Sequence, residues 1–159
     1  MNFCTDFTFL NQQVCWGTIA GAGTGSVFHL LLGSKIQRKR PIGNPCLDSE
    51  VRNYDGEISI FVQCSWRLAT SERIICTNWS PSENDGPMVT GLKKLIGKKV
   101  YEVHLQPETL DLVVSFDDDL KLSLFNNGYN EDENDHSYSV RYDSIWYSVK
   151  DLGILQLET

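Results

Sequence analysis

Apolar and polar residues alternate with a two-residue period over most of this chain, the pattern of half-buried β-strands. Val14, Trp16 and Thr18 alternate with Cys15, Gly17 and Ile19. Gly21-Ala22-Gly23-Thr24-Gly25 interrupts, and Ser26 to Leu32 resumes a β-rich run. Residues 13–32 therefore read as a hairpin with a glycine turn. Lys35 to Pro41, with Gly43, Pro45, Asp48 and Asp55-Gly56, reads as a loop from its turn residues. From Glu57 to Ala69 the alternation is strongest: Ile58, Ile60, Val62, Cys64, Trp66 and Leu68 share one face. That stretch predicts one long strand with Trp66 in the core, and Ser71 to Trp79 completes a second hairpin.

One segment changes to the helical period. Met88, Leu92, Leu95 and Ile96 recur at i, i+4, i+7 and i+8, Pro87 suits the first helical position, and Gly97 suits the C-terminal cap. A helix over about 87–97 follows. Four more strands are predicted at Lys98–Leu105, Thr109–Phe116, Leu120–Phe125 and Ser137–Val149, while Lys150–Leu157 fits a short helix or a last strand. Each half of the chain starts with a strand pair and reaches a long aromatic strand, through Trp66 in one and Trp146 in the other. The expected class is α+β, mainly β. It is a twisted antiparallel sheet or split barrel of about eight strands in two ββββα-like halves, with at least one helix.

The 159 residues fit a single domain spanning 1–159, and 41% hydrophobic residues are enough for a core. Apolar runs fall short of the ~20 residues that cross a bilayer, and the N-terminus lacks the signal-peptide pattern. No membrane contact is expected. Five cysteines, Cys4, Cys15, Cys46, Cys64 and Cys76, form an odd set with no C-x-x-C pair. They read as small core residues of a cytoplasmic protein.

Local signatures of chemistry are missing. The glycine run lacks the Lys-Ser/Thr of a phosphate loop and leads into a strand. His29, His104 and His136 are scattered without metal-ligand spacing, and no nucleophile elbow occurs. The acidic loops lack the EF-hand pattern. No catalytic residue, cofactor or metal is expected. Lys35, Arg38, Lys39 and Arg40 form the one basic cluster, with no stacking aromatics among them, and read as a solvated loop.

Charge is the informative feature. The net charge is -7, but residues 105–159 alone hold 12 acidic groups against three basic ones, so the first 104 residues are slightly basic. A chain of this sign is not a general nucleic-acid-coating protein. Asp117, Asp118 and Asp119 fall at a hairpin turn, and Glu131, Asp132, Glu133 and Asp135 in the next loop beside Tyr129. These eight residues are the candidate partner-binding set: the carboxylates steer a cationic partner, and an aromatic such as Tyr129 or Trp79 anchors it. Consecutive connections lie at opposite ends of an antiparallel sheet, so the two acidic loops are expected apart.

Gln63-Cys64-Ser65-Trp66-Arg67-Leu68, Ile74-Ile75, Leu92-x-x-Leu95-x-Gly97-x-x-Val100, Leu110-Asp111-Leu112-Val113 and Leu120-Lys121-Leu122-Ser123-Leu124-Phe125 carry a resemblance. Over roughly residues 10–150 the chain resembles small bacterial proteins of uncharacterised or immunity type. These include contact-dependent-inhibition immunity proteins whose architecture is similar to that of the Whirly proteins. The resemblance implies a protein that binds and neutralises a bacterial toxin, with nucleases as the class whose cationic cleft suits an acidic inhibitor. Two alternatives stand beside it: a Whirly-like nucleic-acid binder using Lys35–Arg40, and an enzyme or small-ligand binder without a visible motif.

Overall fold

The computed structural model describes residues 5–21, 23–128 and 136–158. β1 (Cys15–Ile19), β2 (Phe28–Gln37) and β3 (Tyr54–Val62) make a meander in a six-stranded sheet. The chain then crosses to a five-stranded sheet for β4 (Ser65–Ala69) and β5 (Ile74–Thr77). Beyond helix α2 (Pro87–Leu92), strands β6 (Val100–Leu105), β7 (Leu112–Phe116) and β8 (Leu120–Phe125) form a meander in this second sheet. The chain crosses back for β9 (Tyr138–Tyr142), β10 (Ile145–Lys150) and β11 (Gly153–Glu158). The sheet orders are β1-β2-β3-β9-β10-β11 and β5-β4-β8-β7-β6, with every pairing antiparallel.

The mainly β, antiparallel class read from the sequence is the one observed. Each half does run as a meander followed by a change of sheet, and the halves are tied at the sheet centres by β3·β9 and β4·β8. Eleven described strands replace the expected eight, and the helix follows the fifth strand. The predicted strand 57–69 is two strands in different sheets. Its alternation runs unbroken through the corner, with Ile58, Ile60, Val62, Cys64, Trp66 and Leu68 all buried. The chain bends there because the N–H groups of both Gln63 and Cys64 donate to the carbonyl of Ser137, at 2.9 and 2.8 Å. The predicted strand 137–149 is a hairpin, folded at Asp143 and Ser144 with φ of 52° and 63°, a left-handed pair that suits a two-residue turn. The tail is a strand.

Helix α2 continues as a 3-10 turn over Lys93–Leu95, then Ile96 goes extended. Met88, Leu92 and Leu95 are buried as expected, but the unwinding turns Ile96 outward to 40% exposure. In the expected loop 35–56, β2 runs on to Gln37 and a short helix α1 (Ser49–Asn53) precedes β3. Buried Val51 of α1 packs over Gly17, where a Cβ would lie 2.8 Å from its Cγ1. Asp117-Asp118-Asp119 is a hairpin turn, as read.

One core fills the space between the sheets. Trp66 is 1% exposed, meets Phe28 edge-on at 4.7 Å, and donates from Nε1 to the carbonyl of Ser26 at 2.9 Å. Phe7, before the 3-10 turn Thr8–Leu10, and Leu10, its last residue, are also buried, with Phe7 against Tyr138 and Tyr147. Cys15, Cys64 and Cys76 are core residues, and burial pushes the first two thiols up to about 12 and Cys76 to about 11. Cys46 is exposed, and Cys4 lies outside the described residues.

Candidate functional site

Register places the connections at two ends of the molecule. Leu105, Leu112, Phe125, Ser65 and Thr77 stand at one end of the five-stranded sheet, and Val62, Tyr138 and Lys150 at the adjoining end of the other. The chain passes between the sheets here, so this is the crossover end. The turn 117–119 lies at the other, far end.

Asn126, directly after β8, staples the crossover end together. Its Nδ2 donates to the carbonyls of Thr109 (2.9 Å) and Asp151 (2.5 Å). Its Oδ1 accepts from Ser137 Oγ at 2.7 Å and from the Gly128 N–H at 3.3 Å. Its own N–H donates to Asp111 Oδ1 at 2.7 Å. One amide thus joins the β6–β7 loop, the β10–β11 turn and the root of the 126–136 connection. Below it the Tyr138 hydroxyl donates to the Leu110 carbonyl at 2.8 Å, and burial raises that phenol's pKa. Glu108, Asp111 and Asp151 gather round Asn126, and none of them forms an ion pair among the described residues.

Trp79 stands at the same end, at the corner beyond β5, and is 89% exposed. The turn that carries it is firmly held. The Ser80 N–H donates to the Thr77 carbonyl (3.0 Å), the Thr77 N–H to Ser80 Oγ (2.9 Å), and the Trp79 N–H to Thr77 Oγ1 (3.1 Å). Asn78 and Trp66 exchange two more bonds, at 3.2 and 3.1 Å. The following loop, with Glu83 and Asp85, closes on Gly21, whose φ of +71° and whose missing Cβ, which would sit 3.0 Å from the Ser82 carbonyl oxygen, both require glycine. Leu152, in the β10–β11 turn, is 69% exposed at this end.

The far end treats its acids differently. Asp117 accepts from the Lys99 N–H at 3.2 Å, Asp118 pairs with Lys98, and Asp119 accepts from both the N–H and the hydroxyl of Ser71, at 2.8 and 2.5 Å. Those two bonds hold the Asp119 carboxyl below its ordinary range. Arg73, Lys93, Lys94 and Lys98 line a trough of about 480 Å³ beside Asp118. Of the expected partner-binding residues, the structure describes three. Asp117, Asp118 and Asp119 stand in a cationic setting with internal donors, whereas Tyr129, Glu131, Asp132, Glu133 and Asp135 lie outside the described residues, between Gly128 and His136 of the crossover end.

A third polar cluster lies on the outer face of the six-stranded sheet, under the 38–53 arm. Asp55 Oδ2 is shared by Arg141 (2.9 Å) and Arg38 (3.6 Å). Arg141 also donates to the Gly56 carbonyl, and Arg38 Nε to that of Val51. Burial pushes Asp55 upward, but the two guanidiniums outweigh it and its carboxyl stays below the ordinary value. His29, stacked on Phe61 at 4.3 Å, is held down to about 4 by burial, with Asp55 opposing and Arg38 and Arg141 adding. Arg38 is thus engaged within the fold, while Lys35, which pairs with Glu50 at 2.8 Å, Lys39 and Arg40 are exposed.

Asn126 and the Arg38–Asp55–Arg141 cluster were missed by sequence reasoning. The partners of Asn126 come from 15 and 25 residues away, beyond any local motif. Comparison of the chain with family models, with curated proteins and with solved structures finds no significant match.

Proposed function

We propose that this chain works by binding another protein, and that it is an immunity protein of the contact-dependent-inhibition kind which neutralises a cationic bacterial toxin, a nuclease by class, in the cytoplasm. The observation that carries the reading is Trp79: a tryptophan 89% exposed on a turn hydrogen-bonded to the backbone of buried Trp66. An exposed indole this large is costly to leave in water and is a common anchor of protein interfaces. Its position supports a cationic partner, because the same end carries Glu83, Asp85, Glu108, Asp111 and Asp151 and roots the acidic 129–135 stretch. In this reading the acids speed encounter and Trp79 slows release, and no catalytic step is involved.

In this reading a toxin-domain gene is expected directly upstream of this chain's gene, and its product is the partner used in the test. Trp79→Ala is expected to weaken binding by at least tenfold, mainly through faster dissociation. Amides at Glu108 and Asp151, and at Glu131, Asp132, Glu133 and Asp135, are expected to slow association and flatten its salt dependence, while amides at Asp117–Asp119 leave it unchanged. Wild-type rates for both the Trp79 and the crossover-end variants remove this face as the interface.

A further inference from the structure

The sheet edges in this molecule are unequally protected. The start of β1 and the residues leading into it are bonded to the segment that opens β6: Cys15 N–H donates to the Lys98 carbonyl at 2.9 Å, Gly97 N–H to that of Cys15 at 2.7 Å, and Val100 N–H to that of Gln13 at 2.9 Å. The same bonds cover the start of β6. β5 is only four residues long and lies against α2, where a Cβ on Gly91 would meet Cys76 Sγ at 2.6 Å. β11 differs. It is six residues long, pairs among the described residues only with β10, and has five exposed positions. Between Gly153 and Leu157 it has no charge and no proline, the usual devices that blunt an open edge. Leu155 and Leu157 stand out from it at 52% and 59% exposure.

We propose that β11 is a self-association edge, pairing antiparallel with β11 of a second copy about a two-fold axis to join two six-stranded sheets. The occupant follows from register. Directly opposed residues in an antiparallel pair share a face, so a two-fold β11 pair must oppose positions of equal parity. Centring the axis on Gln156 sets Leu155 opposite the second copy's Leu157, and Leu157 opposite its Leu155. All four leucines then meet on the outer face. Trp146, the neighbour of Leu157 across β10, and Ser148, the neighbour of Leu155, flank this cluster. Centring on Leu155 instead would set Leu157 against Gly153 and leave it uncovered. The leucine-on-leucine register is self-complementary, as an isologous interface requires, and it places no charge opposite a like charge: Glu158 faces Ile154.

Cysteine cross-linking reads both the association and the register. In a background carrying Cys4→Ser and Cys46→Ser, Gln156→Cys is expected to form a disulfide dimer on mild oxidation. Leu155→Cys mixed with Leu157→Cys should cross-link to each other, and Leu155→Cys alone should not. Light scattering on the wild-type chain should show twice the 18.0 kDa monomer mass at high concentration. Leu155→Lys with Leu157→Lys should raise the dissociation constant at least about a hundredfold. Both residues are exposed, so an unchanged circular-dichroism melt of the lysine variant would show that folding is not the cause. A wild-type mass of 18.0 kDa at every concentration, or Leu155→Cys linking to itself faster than Gln156→Cys, overturns the proposal.

Discussion

At the far end, three consecutive aspartates each meet a donor on a neighbouring element, Lys99, Lys98 and Ser71, and a trough lined by four cations lies beside them. At the crossover end, the carboxylates of Glu108 and Asp151 form no ion pair among the described residues, and the structure is held by a neutral amide, Asn126. The far-end carboxylates are each tied to a neighbouring element, whereas at the crossover end only Asp111 takes a described hydrogen bond, from the Asn126 N–H. A run of acidic residues in a sequence therefore does not identify an interface. The neighbours that folding supplies decide whether its charge is cancelled or projected, and at Asp117, Asp118 and Asp119 they supply each carboxylate with a partner.

The largest effect should come from removing what lies under the crossover end. Trp66 holds Ser26 through its indole and Asn78 through its backbone, so Trp66→Ala should cost about 3–5 kcal/mol in denaturant melts. It should also loosen the Trp79 turn, read as faster amide exchange at Asn78 and Ser80. A loss under about 1 kcal/mol would show that the two sheets do not depend on this contact. Asn126→Ala comes next, at about 1–3 kcal/mol, because buried Ser137 and half-buried Gly128 lose partners together with the exposed Thr109 and Asp151 carbonyls. Exchange protection should fall at Gly128 and hold at Ser71, and equal loss at both ends would erase the contrast between them. The smallest effect is one of pH. The bonds from Ser71 keep Asp119 ionised below the ordinary aspartate value of 3.8. The stabilisation they give is present above the unfolded-state pKa and disappears as pH falls through the lower folded value. Ser71 protection should drop in that acid range while the Gly128 N–H, bonded to the neutral Asn126 Oδ1, keeps its own.

The strands were legible because burial in a sheet imposes a two-residue period, and the helix at 87–97 because Met88, Leu92 and Leu95 keep the other period. Periodicity is blind to a change of sheet that preserves parity, so the corner at Gln63-Cys64 left no trace. Asp143 and Ser144 adopt left-handed backbone without the Asn-Gly signal that announces such turns, which hid the β9–β10 hairpin. Charge runs were visible, but the donors that meet Asp117, Asp118 and Asp119, at Lys99, Lys98 and Ser71, are tertiary partners. Trp79 could be named as an anchor from its residue type; its exposure could not, since Trp66 lies 13 positions away in the same apparent hairpin and is buried.

The Ser137 carbonyl, receiving two N–H groups from the corner between β3 and β4, has a consequence for how the chain reaches this structure. That corner cannot be completed until a residue more than seventy positions later has arrived, and the same residue opens β9, which seals β3 from the other side. Early hairpins form by local search, but neither sheet can finish without chain from the opposite half. Closing so long a loop is slow and gains its reward only at the end, so folding should concentrate into one late, cooperative step rather than proceed sheet by sheet.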